Sequence, residues 1–317
     1  MKSGTSRTEP SSAKIGPDSG PRGQKTGTLK TSTLQGRVVL GPRDAALLTD
    51  VALCRVLRRR QIQVLHFSST PRCNSRLHQL VQAGCLVRTY PPVATHNGEA
   101  LYQLGRAAIP TVVSALWSGG LETDAAEMVR HCRRGLPLFL AHALAVADCY
   151  VWLRGVLRGR PDWRLERWVP EPWCHDEYRV RAREPVVVHG ACPWRKVAFK
   201  PDGFFRLTRS GGPDMNAFLE ADMGHASPAR IMHKLGFYRD YWELGLFRAV
   251  YGEGDFRTLL VTTDAARLAR LEALATAIPD VQLWLTTFEA LGRNGMKGGV
   301  WQVAGKPGLR VLLEGGA

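Results

Sequence analysis

The fold of the second half of the chain is decided by Lys200-Pro201-Asp202-Gly203 together with Phe218-Leu219-Glu220-Ala221-Asp222. Side chains alternate between the two faces of a strand, so Glu220 and Asp222 share one face. The glycine-rich turn at residues 210–214 can fold the strand after Asp202 back beside them. The sequence therefore predicts three carboxylates at one end of a sheet. Such oxygen ligands bind the divalent cation used in phosphodiester cleavage, which indicates a metal-dependent nuclease site.

A helix is predicted directly after these carboxylates, from Ser227 as its N-cap and Pro228 at its first position to about Val250. Lys234 lies on this helix and is near enough in topology to reach the carboxylates. The helix carries a polar stripe at spacings of four, four and three residues: Arg230, Lys234, Tyr238 and Tyr241. A stripe of this kind can meet a phosphate, and it is also typical of an amphipathic helix with a solvated basic edge.

The surrounding elements are predicted in the order α-β-β-β-α-β with an appended α-β. The segments are a helix at 138–157, strands at 163–170, 196–208 and 216–222, the helix at 228–250, a strand at 257–263, a helix at 264–277, a strand at 281–287, and an edge pair at 299–303 and 309–313. The helix at 138–157 is apolar but is interrupted by His142, Asp148 and Arg154. We therefore expect it to pack under the sheet and not to cross a membrane.

The region before it is predicted to hold three short helices and two strands. The helices begin near Pro42, Gln61 and Thr70, and strands at 85–90 and 100–104 are joined through the hairpin dipeptide Asn97-Gly98. This is the order of a winged helix-turn-helix domain, whose third helix enters the major groove of DNA. The residues predicted to contact DNA are Arg58, Arg59, Arg60, Arg72, Asn74, Arg76 and His78. The alternative is that this small domain mediates protein contacts.

The composition favours a polyanionic partner. Lys and Arg number 43 against 28 Asp and Glu, which gives a formal net charge of +15 on 317 residues. Basicity that serves only solubility, or that follows from a GC-rich genome, is the alternative. Seven scattered cysteines without a Cys-x-x-Cys pair indicate buried thiols in a reducing cytoplasm. Neither a signal peptide nor a membrane span is predicted.

Five motifs, in this order and spacing, resemble the replication-relaxation family of bacterial plasmid and mobile-element proteins, whose C-terminal half is similar to PD-(D/E)xK nucleases. Between about Leu40 and Phe288 they are Gly84-Cys85-Leu86-Val87, His142 to Asp148, Lys200 to Gly203, Phe218 to Asp222, and Lys234-Leu235-Gly236-Phe237-Tyr238. The resemblance implies a role in plasmid replication or in relaxing and nicking plasmid DNA. It implies metal binding by Asp202, Glu220 and Asp222, with Lys234 as the polarising base. The nuclease pattern expects a lysine two residues after the glutamate, where this sequence has Asp222.

The expected fold class is α/β (α+β): a winged helix-turn-helix domain followed by a PD-(D/E)xK nuclease-like αβββαβ domain. The predicted organisation is a disordered basic arm at 1–36, the winged helix domain at 37–106, a helical linker at 107–137 and a restriction-endonuclease-like domain at 138–317. The expected partners are double-stranded DNA of a plasmid or mobile element and replication or transfer proteins, in the cytoplasm and without a membrane.

Three functions are compatible with these patterns. In the first, the protein is a DNA endonuclease that uses Mg²⁺ to activate water, with Asp202, Glu220, Asp222, Lys234 and Tyr238 as catalytic residues. In the second, it is a non-catalytic replication or transfer factor whose nuclease-like fold is a scaffold, and it binds DNA in a salt-sensitive manner without metal. The third is a tyrosine relaxase that uses Tyr238 or Tyr241. It ranks last, because no His-x-His pair of metal ligands occurs in the sequence.

Overall fold

The computed structural model describes residues 38–91, 98–133, 139–181, 194–275, 281–293 and 299–313. The predicted basic arm at 1–36 lies outside the described residues, as does Asn97 of the predicted hairpin.

Three short helices and a small sheet form the first part of the described chain. They are α1 (Pro42–Cys54), β1 (Leu57–Arg58), α2 (Arg59–His66), α3 (Thr70–Gln82), β2 (Leu86–Thr89) and β3 (Leu101–Leu104). The three strands are antiparallel in the order β1-β3-β2. The predicted helices and strand pair are thus present. The strand β1 was not predicted, because two residues are too few to show an alternating pattern.

These elements are held together by apolar residues at helical spacing. Leu47, Leu48 and Val51 of α1, and Leu77 and Leu80 of α3, are completely buried. The start of α1 is fixed by Asp44, whose Oδ2 accepts a hydrogen bond from the backbone N–H of Gly41 at 2.9 Å.

Two further helices, α4 (Ile109–Ser118) and α5 (Ala125–Arg133), lie in the region predicted as a helical linker, and α4 packs against both α1 and α5. They are followed by the long helix α6 (Leu140–Arg158). By length and composition α6 is apolar enough to cross a membrane. In the structure it packs against α1 and α2 and, as predicted for this segment, against the sheet of the second half.

The second half is built on a seven-stranded sheet. Its elements are β4 (Trp163–Pro170), β5 (Asp176–Arg181), β6 (Trp194–Phe199), β7 (Gly203–Arg209), β8 (Met215–Ala221), α7 (Pro228–Glu243), α8 (Leu246–Tyr251), β9 (Phe256–Thr262), α9 (Ala265–Ala275), β10 (Leu283–Thr287), α10 (Phe288–Arg293), β11 (Trp301–Val303) and β12 (Leu309–Arg310). The sheet order is β12-β11-β10-β9-β8-β7-β4. The strands β4, β7 and β8 are antiparallel neighbours, whereas β8, β9 and β10 run parallel.

The central strand β8 is buried along its whole length, as expected for a strand covered on both faces. Leaving aside the β5–β6 pair and the short α8, the chain runs α6, β4, β7, β8, α7, β9, with α9 and β10 appended. This is the predicted αβββαβ order with its appended helix and strand. The predicted turn at 210–214 joins β7 and β8 as antiparallel neighbours, with Gly203 opposite Leu219.

Two predicted elements of the second half were wrong in extent, and one strand of it was not predicted. The strand predicted at 196–208 is two strands in different sheets, because Pro201 lacks the N–H that a ladder requires. The first of them, β6, pairs with the unpredicted β5, whose two apolar residues are too few for a clear alternation. The helix predicted at 228–250 ends at Glu243, because Gly245 has a φ of +70°, a left-handed conformation that ends a helix.

An aromatic cluster fixes α7 on the sheet. The ring of Phe199 stacks on that of Tyr241 with centroids 4.2 Å apart, and the ring of Phe218 lies edge-on to that of Tyr238 at 5.6 Å. Since Phe218 and Glu220 point to the same face of β8, the cluster also brings the Glu220 carboxylate under α7.

Candidate active site

A cavity of about 690 Å³ lies at the end of β8, beneath the first turns of α7. Four of the predicted catalytic residues line it: Asp202, Glu220, Asp222 and Lys234. They come from the turn before β7, from the end of β8 and from α7. The start of α6, Arg55 after α1, and Glu171 and His175 between β4 and β5 also line the cavity. The structure thus brings together the acids and the lysine that are separated by up to 32 positions in the sequence.

The carboxylate of Asp202 is held by two donors. Its Oδ2 accepts a hydrogen bond from the backbone N–H of Ala221 at 2.7 Å and lies 3.1 Å from Nε2 of His142 on α6. Burial acts to raise the pKa of Asp202, but the contact with His142 and the charge of Lys234 outweigh it and lower that pKa. The same contact raises the pKa of His142. Asp202 is therefore an ionised carboxylate at neutral pH.

The carboxylate of Glu220 is nearly buried and faces a lysine and a tyrosine. Nζ of Lys234 lies 2.5 Å from Oε2, and the hydroxyl of Tyr238 donates to Oε1. Burial raises the pKa of Glu220 to about 7; the charge of Lys234 opposes this shift and the charge of Asp202 adds to it. The charges of Glu220 and Asp202 outweigh burial at Lys234 and raise its pKa. Lys234 therefore stays positive, while Glu220 changes charge near neutral pH.

Asp222 lines the same cavity, but its carboxylate accepts hydrogen bonds from Thr262, Arg267 and Gly224. Its Oδ2 accepts hydrogen bonds from Thr262 at 2.7 Å and from Nε of Arg267, and its Oδ1 accepts from Nη2 of Arg267 at 2.9 Å and from the backbone N–H of Gly224 at 3.0 Å. Burial acts to raise the pKa of Asp222, but the Arg267 hydrogen bond and the Thr262 hydrogen bond lower it. Both oxygens are thus used to anchor the end of β8 to α9.

A divalent cation fits two of the three predicted ligands. Mg²⁺ is usually bound through one or two carboxylates, completed by water and substrate phosphate. Asp202 and Glu220 are neighbouring carboxylates at the cavity, and the charge of Asp202 raises the pKa of Glu220, a repulsion that a cation would relieve. Asp222 does not fit, because each of its oxygens already accepts two hydrogen bonds from protein donors, whereas each Glu220 oxygen accepts one. Within the described residues, no three His, Cys, Asp or Glu side chains converge as a metal centre.

The two tyrosines of α7 are buried. Tyr238 and Tyr241 are each 1% exposed, and the hydroxyl of Tyr241 donates to Oδ2 of Asp176 at 3.0 Å. Burial raises the pKa of both phenols. The predicted polar stripe is therefore wrong for these two residues, because this side of α7 faces the aromatic cluster. Neither phenol is placed as the accessible nucleophile that a tyrosine relaxase requires.

Two residues that contact the predicted carboxylates were not assigned from the sequence. His142 lies in one of the quoted motifs and interrupts an apolar helix, which is a usable signal for a polar site. Arg267 gives no such signal, because 45 residues separate it from Asp222 and nothing in the α9 sequence distinguishes it from the other arginines.

The residues predicted to contact DNA divide into two groups. Arg72, Asn74 and His78 are exposed on α3. The other four have partners within the chain: Arg58 pairs with Asp148 at 3.0 Å, Arg59 Nη1 contacts Gln63 at 2.5 Å, Arg60 lies 3.4 Å from Glu99, and Arg76 pairs with Asp44 at 2.7 Å. Arg72, Asn74 and His78 on α3 are therefore presented to a partner, as is Arg60, whose side chain is 63% exposed beside Glu99.

A family model described as replication-relaxation matches residues 48–255, which is more than half of the 317-residue chain. The matched range begins within α1 and includes Asp202, Glu220 and Lys234. No curated protein and no solved structure matches the chain.

Proposed function

The chain belongs to the replication-relaxation family, and on that premise we propose that it binds and cleaves DNA during replication of a plasmid or other mobile element. One observation carries the catalytic part: Asp202, Glu220 and Lys234, from three separate elements, meet in one cavity. The αβββαβ order around them supports a PD-(D/E)xK nuclease-like arrangement in which the lysine has moved to the helix after the acidic strand. The three helices and small sheet before it support a winged helix.

In this proposal Asp202 and Glu220 hold Mg²⁺, which when bound offsets charge on the phosphoryl oxygens and makes a bound water more acidic. His142 and the N–H of Ala221 keep the Asp202 carboxylate oriented and ionised. Tyr238 orients Glu220 through its hydroxyl. Lys234 stays protonated beside Glu220, so that its Nζ places positive charge where negative charge develops on the phosphate.

The DNA-binding part of the proposal rests on α3. Its exposed residues Arg72, Asn74 and His78 supply donors and acceptors suited to the base edges of a major groove, and the net charge of +15 favours a phosphate backbone. Duplex DNA is the expected partner of this face, in the cytoplasm and together with replication or transfer proteins.

The test is cleavage of supercoiled plasmid by the purified full-length protein with Mg²⁺. We expect nicked or linear plasmid from the wild type, and none after EDTA is added or in the Asp202→Asn variant. The matched control is Asp214→Asn, which changes an exposed acid in the β7–β8 turn, outside the cavity. If wild type and Asp202→Asn give the same plasmid forms, the catalytic proposal is wrong.

A second candidate is favoured by one observation. The two Glu220 oxygens already have Lys234 and Tyr238 as partners, as in a site kept for structure. A non-catalytic replication or transfer factor with this fold predicts salt-sensitive DNA binding that does not depend on Mg²⁺, and an unchanged plasmid in the same assay.

A further inference from the structure

The two candidate ligands lie at the bottom of the cavity and not on a surface. The side chains of Asp202 and Glu220 are 13% and 9% exposed, whereas Lys200, His225 and Arg230 on the same wall are exposed. A phosphate that reaches the carboxylates must therefore enter the protein. Enzymes that act on a base in a pocket bind single strands or take the nucleotide out of the stack. A phosphate that must reach the bottom of a cavity places a similar demand on the nucleotide that carries it.

The cavity has the size and wall chemistry for one nucleotide. Its volume of about 690 Å³ lies within the range of pockets that enclose ligands of drug size, about 300 to 1,000 Å³. Ile231, Leu235 and Leu260 give it an apolar side, on which the face of a base can lie.

The exposed ring of Phe139, directly before α6, lines the cavity. Phe139 is 60% exposed, so its ring is accessible to a ligand there. Aromatic rings that project into a nucleic-acid path serve as stacking platforms for unpaired bases.

Cations on the rim complete the site. Lys200 and Arg230 are exposed and line the cavity, and Arg55 lines it from the end of α1. Positive side chains beside an aromatic platform are the combination by which proteins hold single strands without reading their sequence.

We propose that this cavity binds an unpaired nucleotide of a DNA strand, with its base against Phe139 and the apolar wall and its phosphate directed to Lys234 and to the rim cations Lys200 and Arg230. The inference rests on the proposed cleavage function and narrows its substrate to single-stranded or locally unpaired DNA. The face of α3 holds the adjoining duplex in this arrangement.

Binding is measured by fluorescence anisotropy of the full-length protein in EDTA, with a labelled 15-nucleotide strand that cannot pair with itself and with the same sequence as a duplex. We expect Phe139→Ala to weaken the single strand about tenfold, equivalent to ~1.4 kcal/mol, and to leave the duplex within about twofold. Phe139→Trp keeps a stacking ring, so its single-strand affinity stays at the wild-type level or rises. Because Phe139 is mostly exposed, both variants are expected to melt at the wild-type temperature.

Cleavage gives a second measurement. A plasmid with a short unpaired bubble should be cut at least about tenfold faster than its fully paired counterpart, because unpairing costs a few kcal/mol that the bubble has already supplied. Equal cutting of both plasmids would overturn the inference while leaving cleavage established. Phe139→Ala affinities that change equally, or not at all, for the two DNA forms would overturn the inference whatever the cleavage result. If no plasmid is cut but Phe139→Ala selectively weakens the single strand, the nucleotide site stands and the cleavage proposal fails.

Discussion

Asp50 and Glu220 are both buried carboxylates with a tyrosine and a cation as partners, but they lie in different surroundings. Asp50 Oδ1 accepts from the hydroxyl of Tyr150 at 2.6 Å and from Nη1 of Arg154 at 3.1 Å, so that α1 is fixed to α6. Glu220 has Tyr238 and Lys234 in the same roles. The Asp50 side chain is 5% exposed between two helices, whereas Glu220 lines a cavity of about 690 Å³.

The open space separates a structural ion pair from a candidate catalytic one. A buried pair that fills its site stabilises one arrangement of the chain, and removal of one partner leaves the other without compensation. A pair that faces a cavity, next to a second carboxylate, keeps a proton near neutral pH and can exchange protein partners for a substrate. Partner chemistry alone does not distinguish the two cases.

The largest expected effect is on cleavage. Glu220→Gln should lower the cleavage rate by at least about a hundredfold, because one charge-stabilising group at a reacting centre contributes about 10² to 10³ in rate. Asp50→Asn removes the same charge from the closed site and should leave the rate per folded molecule unchanged. The initial rate of plasmid nicking, corrected for the folded fraction, measures both. Equal losses of cleavage rate in the two variants would mean that lining the cavity does not give Glu220 a catalytic role.

The reverse result is expected for stability. Asp50→Asn should lower the free energy of unfolding by about 1–3 kcal/mol, because the amide removes the charge that pairs with Arg154 and puts an NH₂ group where Oδ2 lies 2.9 Å from Nε2 of His66. Chemical denaturation with Asp214→Asn as the matched surface control gives the value. A loss no greater than that of the control would contradict the structural role given to Asp50.

The predicted DNA-binding arginines show a similar contrast: Arg72 is exposed on α3, whereas Arg76 is paired with Asp44. Arg72→Ala should weaken DNA about tenfold without changing stability, since one base or phosphate contact is worth about 1–3 kcal/mol. Arg76→Ala should instead lower the free energy of unfolding, because it leaves Asp44 unpaired at the start of α1. Fluorescence anisotropy measures DNA affinity, and chemical denaturation of the same preparations measures the free energy of unfolding. Equal loss of DNA affinity by folded Arg76→Ala would place that residue at the DNA surface.

The raised pKa of Glu220 also predicts that stability depends on pH. The pKa of Glu220 is raised to about 7, so the folded protein binds a proton more tightly than the unfolded chain and this site loses stability as pH rises through about 7. Glu220→Gln cannot ionise, so its melting temperature relative to wild type should rise between pH 5 and pH 8. Differential scanning fluorimetry of both proteins across this pH range measures the difference in melting temperature. A constant difference would show that Glu220 titrates at its ordinary value.

The order of the elements around the site could be predicted because long, periodic segments dominate it. The largely apolar run of β8, the capped start of α7 and the turn before β8 each carry a local signal, and together they place Glu220 and Lys234 side by side. The extents of β6 and α7 depended on single residues, Pro201 and Gly245, whose effect on the backbone competes with the apolar pattern around them.

The function of each carboxylate could not be predicted, because it depends on contacts between distant parts of the chain. Glu220 and Asp222 share one face of one strand, yet Asp222 is held by Arg267 from a later helix. In the same way, Arg72 and Arg76 lie one turn apart on α3, but only Arg76 has Asp44 within reach. Charge patterns identify residues capable of binding a polyanion and do not reveal which of them the fold has already paired.

Cation binding in the cavity is tested most directly by calorimetric titration of Mg²⁺ into the full-length wild type, Glu220→Gln and Asp50→Asn, with a short single strand present. We expect one binding site in wild type and in Asp50→Asn, and its loss in Glu220→Gln. Identical titrations of all three proteins would contradict the assignment of the cavity as the cation and cleavage site.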